Sequence, residues 1–124
     1  MKMAKILIVD DSNIVLSLHS YILENAGHEC VGVENGFMAL ETLMRNAFDL
    51  VVTDVNMPRM DGYELTRKIR MIDDYRQIPI IIISTEQEEK DRMKGLASGA
   101  NVYIVKPTDP SSLVVNVDML LAAG

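Results

Sequence analysis

The chain has one cysteine, no tryptophan and two phenylalanines among 124 residues. A lone thiol, Cys30, closes no internal disulfide, and two histidines with one cysteine offer no cluster at zinc-ligand spacing. The expectation is a reducing, cytoplasmic setting. Basic residues are in deficit, 12 Lys and Arg against 18 Asp and Glu, for a net charge of −6. A nucleic-acid binder normally presents a basic stripe to neutralise phosphates, so this balance argues against one. Apolar runs are a handful of residues long, far from the roughly 20 needed to span a bilayer, and no membrane segment is expected. Lys2 and Lys5 flank the start of the chain, but the apolar stretch Ile6–Val9 ends at once in two aspartates. No secretory signal is read there.

Apolar residues make up 48% and charged residues 24%, ordinary usage for a folded domain and far from disorder. Residues 1–124 have room for one core, so a single domain is expected, without linker, repeat or low-complexity tract. Five short apolar runs punctuate it: Ile6–Val9, Cys30–Val33, Leu50–Val52, Ile80–Ile83 and Val102–Val105. Four are nearly continuous and rich in β-branched residues, as in parallel strands covered on both faces. The second, Glu29-Cys30-Val31-Gly32-Val33, is weaker and broken by glycine, which suits an edge.

Helical segments alternate with these runs. The first places Ile14, Leu18 and Ile22 on one face and ends at Gly27. The second opens at Asn35 as N-cap and aligns Ala39, Leu40, Leu43, Met44 and Ala47. The third carries Leu65, Ile69 and Ile72; the fourth, Glu86–Ser98, is densely charged, with Met93, Leu96 and Ala97 as apolar anchors. The fifth has Asp109 as cap and Pro110 in its first turn, then Leu113, Val114, Val117, Leu120 and Leu121. Short connections between alternating elements predict an α/β fold of (βα)5 type, an open, doubly wound, parallel five-stranded sheet with helices on both faces.

In such sheets ligands bind beyond the carboxyl ends of the strands. Those ends read Asp10-Asp11-Ser12, Glu34-Asn35, Thr53-Asp54, Ser84-Thr85 and Lys106-Pro107. Clustered carboxylates repel one another and hold a proton unless a cation intervenes. Magnesium meets this need with oxygen ligands and several retained waters. Asp11 and Asp54 suit direct coordination, Asp10 suits contact through water, and Lys106 supplies positive charge from the opposite side. An aspartate beside a divalent cation and an ammonium is a candidate nucleophile toward phosphorus, with Ser84 available to bond a phosphoryl oxygen.

Asp10-Asp11, the run Asp54-Val55-Asn56-Met57-Pro58-Arg59-Met60-Asp61-Gly62, then Ser84, then Lys106-Pro107, taken in order, resemble the receiver domain of two-component response regulators, the CheY-like family. The resemblance covers the whole chain. It implies a flavodoxin-like sheet in strand order 2-1-3-4-5, the order recorded for that fold. It implies that Asp54 accepts a phosphoryl group from a sensor histidine kinase or phosphotransfer protein. It implies that Asp10, Asp11, Asp54 and the backbone carbonyl of Asn56 hold Mg2+. Ser84 would be the switch hydroxyl, Tyr103 the aromatic switch, Lys106 the phosphate-contacting lysine, and Lys106–Pro107 a cis peptide. The fourth helix, fifth strand and fifth helix would meet a downstream protein, and the domain would catalyse only its own phosphorylation and dephosphorylation. Thr108 stands where many members carry Phe, and Thr85 where Ala or Gly is frequent. Thr85 is expected to narrow access to Asp54, with Asn56 and Glu86 placed to orient a hydrolytic water.

Plainer roles exist for each residue alone. Asp10-Asp11 is also a strand end with a helix cap, Asn56–Gly62 a turn, Ser84 a cap, Lys106 a surface lysine and Tyr103 a packing residue. His19 and His28 read as surface or helix-end residues, Cys30 as a small buried apolar one, and the fourth helix as a solvated face. A flavodoxin-like electron carrier would need a phosphate-cradling loop where Asp10-Asp11 stands and a ring to stack on flavin, yet no Trp is present. A phosphatase acting on free substrates would need a second acid where Asn56 stands. With no output segment after the fifth helix, either a stand-alone regulator or a receiver from a longer protein fits.

Overall fold

A run that is apolar on both sides is stable only between two covering layers, and each of the five becomes a strand in the computed structural model, which describes residues 3–123. Lys2 and Gly124 lie outside the described residues. The strands are β1 (Lys5–Val9), β2 (Glu29–Val33), β3 (Leu50–Thr53), β4 (Ile80–Ser84) and β5 (Val102–Val105). They form one sheet in the order β2-β1-β3-β4-β5, and every neighbouring pair is parallel. Val9 pairs with Val33 on one side and Thr53 on the other, so β1, β2 and β3 end level.

The helices are α1 (Asn13–Asn25), α2 (Gly36–Arg45), α3 (Gly62–Arg70), α4 (Glu89–Ala97) and α5 (Pro110–Ala123), with a 3-10 turn at Asp73–Tyr75. Side chains alternate across a strand, and this period of two divides the strands between two cores. Ile6, Ile8, Leu50, Val52, Ile81 and Ile83 pack under Leu16 and Leu23 of α1 and Leu113 and Val117 of α5. Leu7, Val9, Val51, Ile80 and Ile82 pack under Ala39 and Leu43 of α2 and Leu65 and Ile69 of α3. Burying each such aliphatic side chain contributes about 1.5–3 kcal/mol. Four helices open on a side chain that accepts a first-turn N–H: Ser12 from Val15, Asn35 from Met38, Asp61 from Glu64 and Asp109 from Ser112. Gly27, at φ 97°, follows α1 in the left-handed region that glycine tolerates.

Several expectations need correcting. Ile14 and Leu18 of α1 are 82% and 53% exposed; the inward face is Leu16, His19, Ile22 and Leu23. The inward stripe contains a histidine, so apolar spacing alone placed Ile22 correctly but Ile14 and Leu18 wrongly. Neither histidine is a surface residue. His28 is buried, its Nδ1 accepts the Ala4 N–H (3.1 Å), and its Nε2 donates to Asp118 (3.0 Å), which ties α5 to the edge of the sheet. Met44 and Ala47 of the second helical segment are exposed, leaving Ala39 and Leu43 as its buried contacts. α4 begins at Glu89 rather than Glu86, and its expected anchors Met93, Leu96 and Ala97 are exposed. Its buried residue is Gly95, where a Cβ would stand 2.8 Å from a ring carbon of Tyr103. α4 therefore docks by lacking a side chain. Cys30 is half-buried, and burial, reinforced by Glu24 and Glu29, pushes its thiol up to about 12, as suits an inert residue.

The first turn of α3 presses against the end of β3. A Cβ on Gly62 would lie 2.1 Å from the Asp54 carbonyl oxygen, whereas one on Gly32 would meet Leu16 at an ordinary 3.4 Å. Gly62→Ala is expected to destabilise the fold by about 2–3 kcal/mol, through overpacking against backbone that has nowhere to move. Gly32→Ala should stay within about 0.5 kcal/mol of the parent. Urea unfolding of both variants checks this, and equal midpoints would show that the turn after β3 yields.

Candidate functional site

The carboxyl ends of β1 and β3 carry the acidic residues because the backbone ladder runs one residue past each strand. The Asp10 N–H donates to Val33 O (3.1 Å) and the Asp54 N–H to Val9 O (2.9 Å). Asp10 and Asp54 are buried, while Asp11 is exposed at the rim. One carboxylate oxygen from each of the three lies within 4.8 Å of the others. From the far side, the Lys106 N–H donates to Ser84 O (2.7 Å), which anchors the lysine beyond β5. Its Nζ lies 2.9 Å from Asp10 Oδ2 and 3.3 Å from Asp54 Oδ1. The peptide between Lys106 and Pro107 is cis, as the resemblance implied.

Both partners of the Lys106–Asp54 contact are pushed upward. Burial pulls the Lys106 pKa down, but the hydrogen bond to Asp10 and the charges of Asp54 and Asp10 outweigh it and raise it overall. Asp54 is raised by burial first and then by Asp10, and Lys106 only partly opposes this. One ammonium serves two buried carboxylates, so the pair is left with an excess of negative charge, and Asp54 bears it. Three hard oxygen donors with surplus negative charge fit a divalent cation such as Mg2+. Asp54 Oδ1 also accepts the Val55 N–H (2.8 Å), and Asp10 Oδ1 accepts the Ser12 N–H (2.9 Å), so both carboxylates are held in one orientation.

Around this centre, Glu86 gathers three of the residues singled out in the sequence. Its N–H donates to Ser84 Oγ (3.0 Å), its carbonyl accepts from the Tyr103 hydroxyl (2.7 Å), and its carboxylate accepts from Asn56 Nδ2 (3.3 Å). Ser84 is fully buried and Tyr103 buried, while Asn56 and Glu86 are exposed. Thr85 is exposed and lines a cavity of about 290 Å³ beside Lys106, together with His19, Pro107 and Thr108. Burial, together with the nearby Lys106 charge, lowers the His19 pKa. Sequence reading missed His19, whose only local signal is its step of three from Leu16. Gly62 entered only as the end of a turn and Gly95 was missed, since the role of each is a space. Arg59 holds φ 69° in the loop after β3, with its guanidinium 5.5 Å from the Phe37 ring centre, and the turn residues around it were the only hint.

The chain matches the family model of the response regulator receiver domain over residues 6–118. It is 34% identical over 120 residues to Protein PilH of Pseudomonas aeruginosa, covering 97% of this chain and 99% of that protein. Further curated relatives, 38% identical over 117 residues, are about twice as long, and the chain covers 47% of their length. The chemotaxis response regulator CheY4 of Vibrio cholerae superposes with a TM-score of 0.90 at 35% identity, over 96% of this chain and 99% of that one. The receiver domain of sensor histidine kinase PA1611 from Pseudomonas aeruginosa, solved with magnesium coordinated in its active site cleft, does so at 0.90 and 27% identity, over 98% and 99%.

The upward shift of Asp54 has a consequence for stability. Below the ordinary carboxylate range both folded and unfolded chains carry the proton. As pH rises, the unfolded chain releases it first, so stability falls until the folded carboxyl has ionised as well. Asp54→Asn keeps an acceptor for the Val55 N–H and removes this loss. The variant is expected to be more stable than the parent at neutral pH in chelator, with the difference shrinking as pH falls toward the ordinary carboxylate range. Thermal unfolding across pH measures it, and a less stable variant at neutral pH would contradict the assigned charge balance.

Proposed function

The chain belongs to the response regulator receiver family, and from that premise we propose that Asp54 accepts a phosphoryl group from the phosphohistidine of a sensor histidine kinase or phosphotransfer protein. The observation that carries this reading is the convergence of three carboxylates within 4.8 Å of one another, with Lys106 bonded to Asp10 and Asp54. Asp54 Oδ1 is occupied by Val55 and Lys106, which leaves Oδ2 as the oxygen free to attack phosphorus. A P–O bond then forms as the P–N bond of the donor breaks, and the donor imidazole leaves with the electron pair. Asp10, Asp11, Asp54 and the Asn56 carbonyl would hold Mg2+, which when bound would supply charge neutralisation for phosphoryl oxygens. Lys106 takes a further oxygen, and its ammonium exchanges part of its hold on Asp10 for the phosphoryl group. The chain's catalysis is positioning and charge compensation on its own side chain.

The output follows from Glu86. Ser84 Oγ accepts the Glu86 N–H, and its proton is donated to no acceptor among the described residues, so it is available to a phosphoryl oxygen. Drawing Ser84 toward the phosphoryl group moves Glu86, and with it the carbonyl that holds Tyr103. Tyr103 lies against Gly95, so the face formed by α4, β5 and α5 changes, and that face meets the downstream protein. Asn56 and Glu86, bonded to each other at the mouth, orient the water of dephosphorylation, and Thr85 restricts its access.

The test is intact mass after incubation with a small phosphodonor. The parent is expected to gain one phosphoryl group with magnesium and none with chelator, and Asp54→Asn to gain none in either. Lys106→Ala should still fold, and its chemical shifts along α4 and α5 should move at most about a third as far as the parent's when beryllofluoride and magnesium are added. A full mass gain in Asp54→Asn, or equal shifts in Lys106→Ala, would remove the respective residue from the mechanism.

A further inference from the structure

The cavity beside Lys106 shares Thr85 and Lys106 with the site above, while its remaining walls take no part in that chemistry. It measures about 290 Å³ and lies between α1 and the connections that follow β4 and β5. Val15, Leu18 and Pro107 give it apolar walls, and Thr108, a small side chain, leaves space on the α5 side. A dry apolar cavity of about 150 Å³ already admits benzene, so this one has room for a fused or substituted ring.

His19 makes the cavity selective. It is 4% exposed and has no hydrogen-bond partner among the described residues. Among the described residues no buried side-chain nitrogen or oxygen is sealed away from both partner and solvent, so the unbonded His19 ring nitrogens keep contact with solvent, and the residue lines this cavity. Burial and the Lys106 ammonium hold the imidazole neutral, with one N–H to give and one lone pair to accept. Lys106, the cation on this wall, is committed to Asp10 and Asp54, so an anion finds no free charge. No carboxylate lines the cavity, so a metal ion finds no hard ligand. What remains is a mostly apolar wall in which the His19 ring, with no protein partner among the described residues, depends on solvent for its hydrogen bonds, beside the hydroxyls of Thr85 and Thr108.

We propose that this cavity binds a small planar aromatic molecule bearing a single O–H or N–H, of the phenol or indole class, with that group hydrogen-bonded to His19. The ring would lie between Val15, Leu18 and Pro107. Such a ligand satisfies the imidazole where benzene leaves it bare, and a buried polar group left without a partner is costly. The site exists on the unphosphorylated chain, so the proposal holds independently of the role assigned to Asp54.

The test is an NMR titration of the full chain with indole, phenol and benzene. Indole is expected to shift the Val15 and Leu18 methyls and the His19 ring, with a dissociation constant near or below about 1 mM, and to bind about tenfold more tightly than benzene. His19→Leu should abolish the preference while keeping weak binding of benzene. Thr108→Phe should fill the cavity and abolish binding of all three, and Leu18→Trp, at an exposed position of α1, should do the same by a second route. Amide spectra establish that each variant is folded. Absent or scattered shifts with indole, undiminished binding in both filled variants, or an unchanged preference in His19→Leu would overturn the proposal.

Discussion

Lys106 reaches across the carboxyl end of the sheet to Asp10 at 2.9 Å and Asp54 at 3.3 Å, and most of the arrangement around it follows from that shared charge. Burial raises the Asp54 pKa first, and because one ammonium cannot neutralise two buried carboxylates, the Asp10 charge left in excess raises it further. The exposed Asp11 adds to the excess at the rim. The oxygen donors gathered there fit a hard cation without any single unusual residue. The cost is borne by β1, β3 and β4, whose side chains are almost wholly buried. Apolar burial in two cores supplies the stability that a charge cluster at the sheet end consumes.

The parts tied to this centre differ in how firmly they are held. Asp10 and Asp54 are each fixed by backbone N–H donors from the following residues, and Gly62 lets α3 close against the Asp54 carbonyl. α4 is held more loosely. Its large apolar side chains face solvent, and it meets the sheet through Gly95 over the Tyr103 ring. A helix with so little apolar burial belongs to the low-stability end of a fold, where small changes in a neighbour redistribute its position. Glu86 connects the two regimes, since it bonds Ser84 at the rigid end and Tyr103 beneath the loose helix.

The strands were legible because burial on both faces demands continuous β-branched runs, a pattern few alternatives share. The acidic pair, Asp54, Ser84 and Lys106 were legible because each lies within two residues of the end of such a run, and parallel sheets bring those ends together. The helical faces were less so. α1 presents His19 inward and Ile14 outward, and α4 docks through a missing side chain, so hydrophobic spacing pointed the wrong way in both. His28 is buried because Asp118 and the Ala4 N–H, distant in sequence, satisfy its two nitrogens. No local pattern encodes a partner 90 residues away.

By itself the sequence determined the alternation of strand and helix and the set of groups available at the strand ends. These depend on short-range periodicity and on chain order, both visible in one dimension. The tertiary structure alone decided how those groups share charge: which carboxylates Lys106 touches, which oxygen of Asp54 is left free, and that Glu86 rather than Asn56 joins the site to Tyr103. It also decided that His19 faces a cavity. Each of these rests on distances of a few ångströms between residues far apart in the chain, and such distances are set only when the whole sheet has packed.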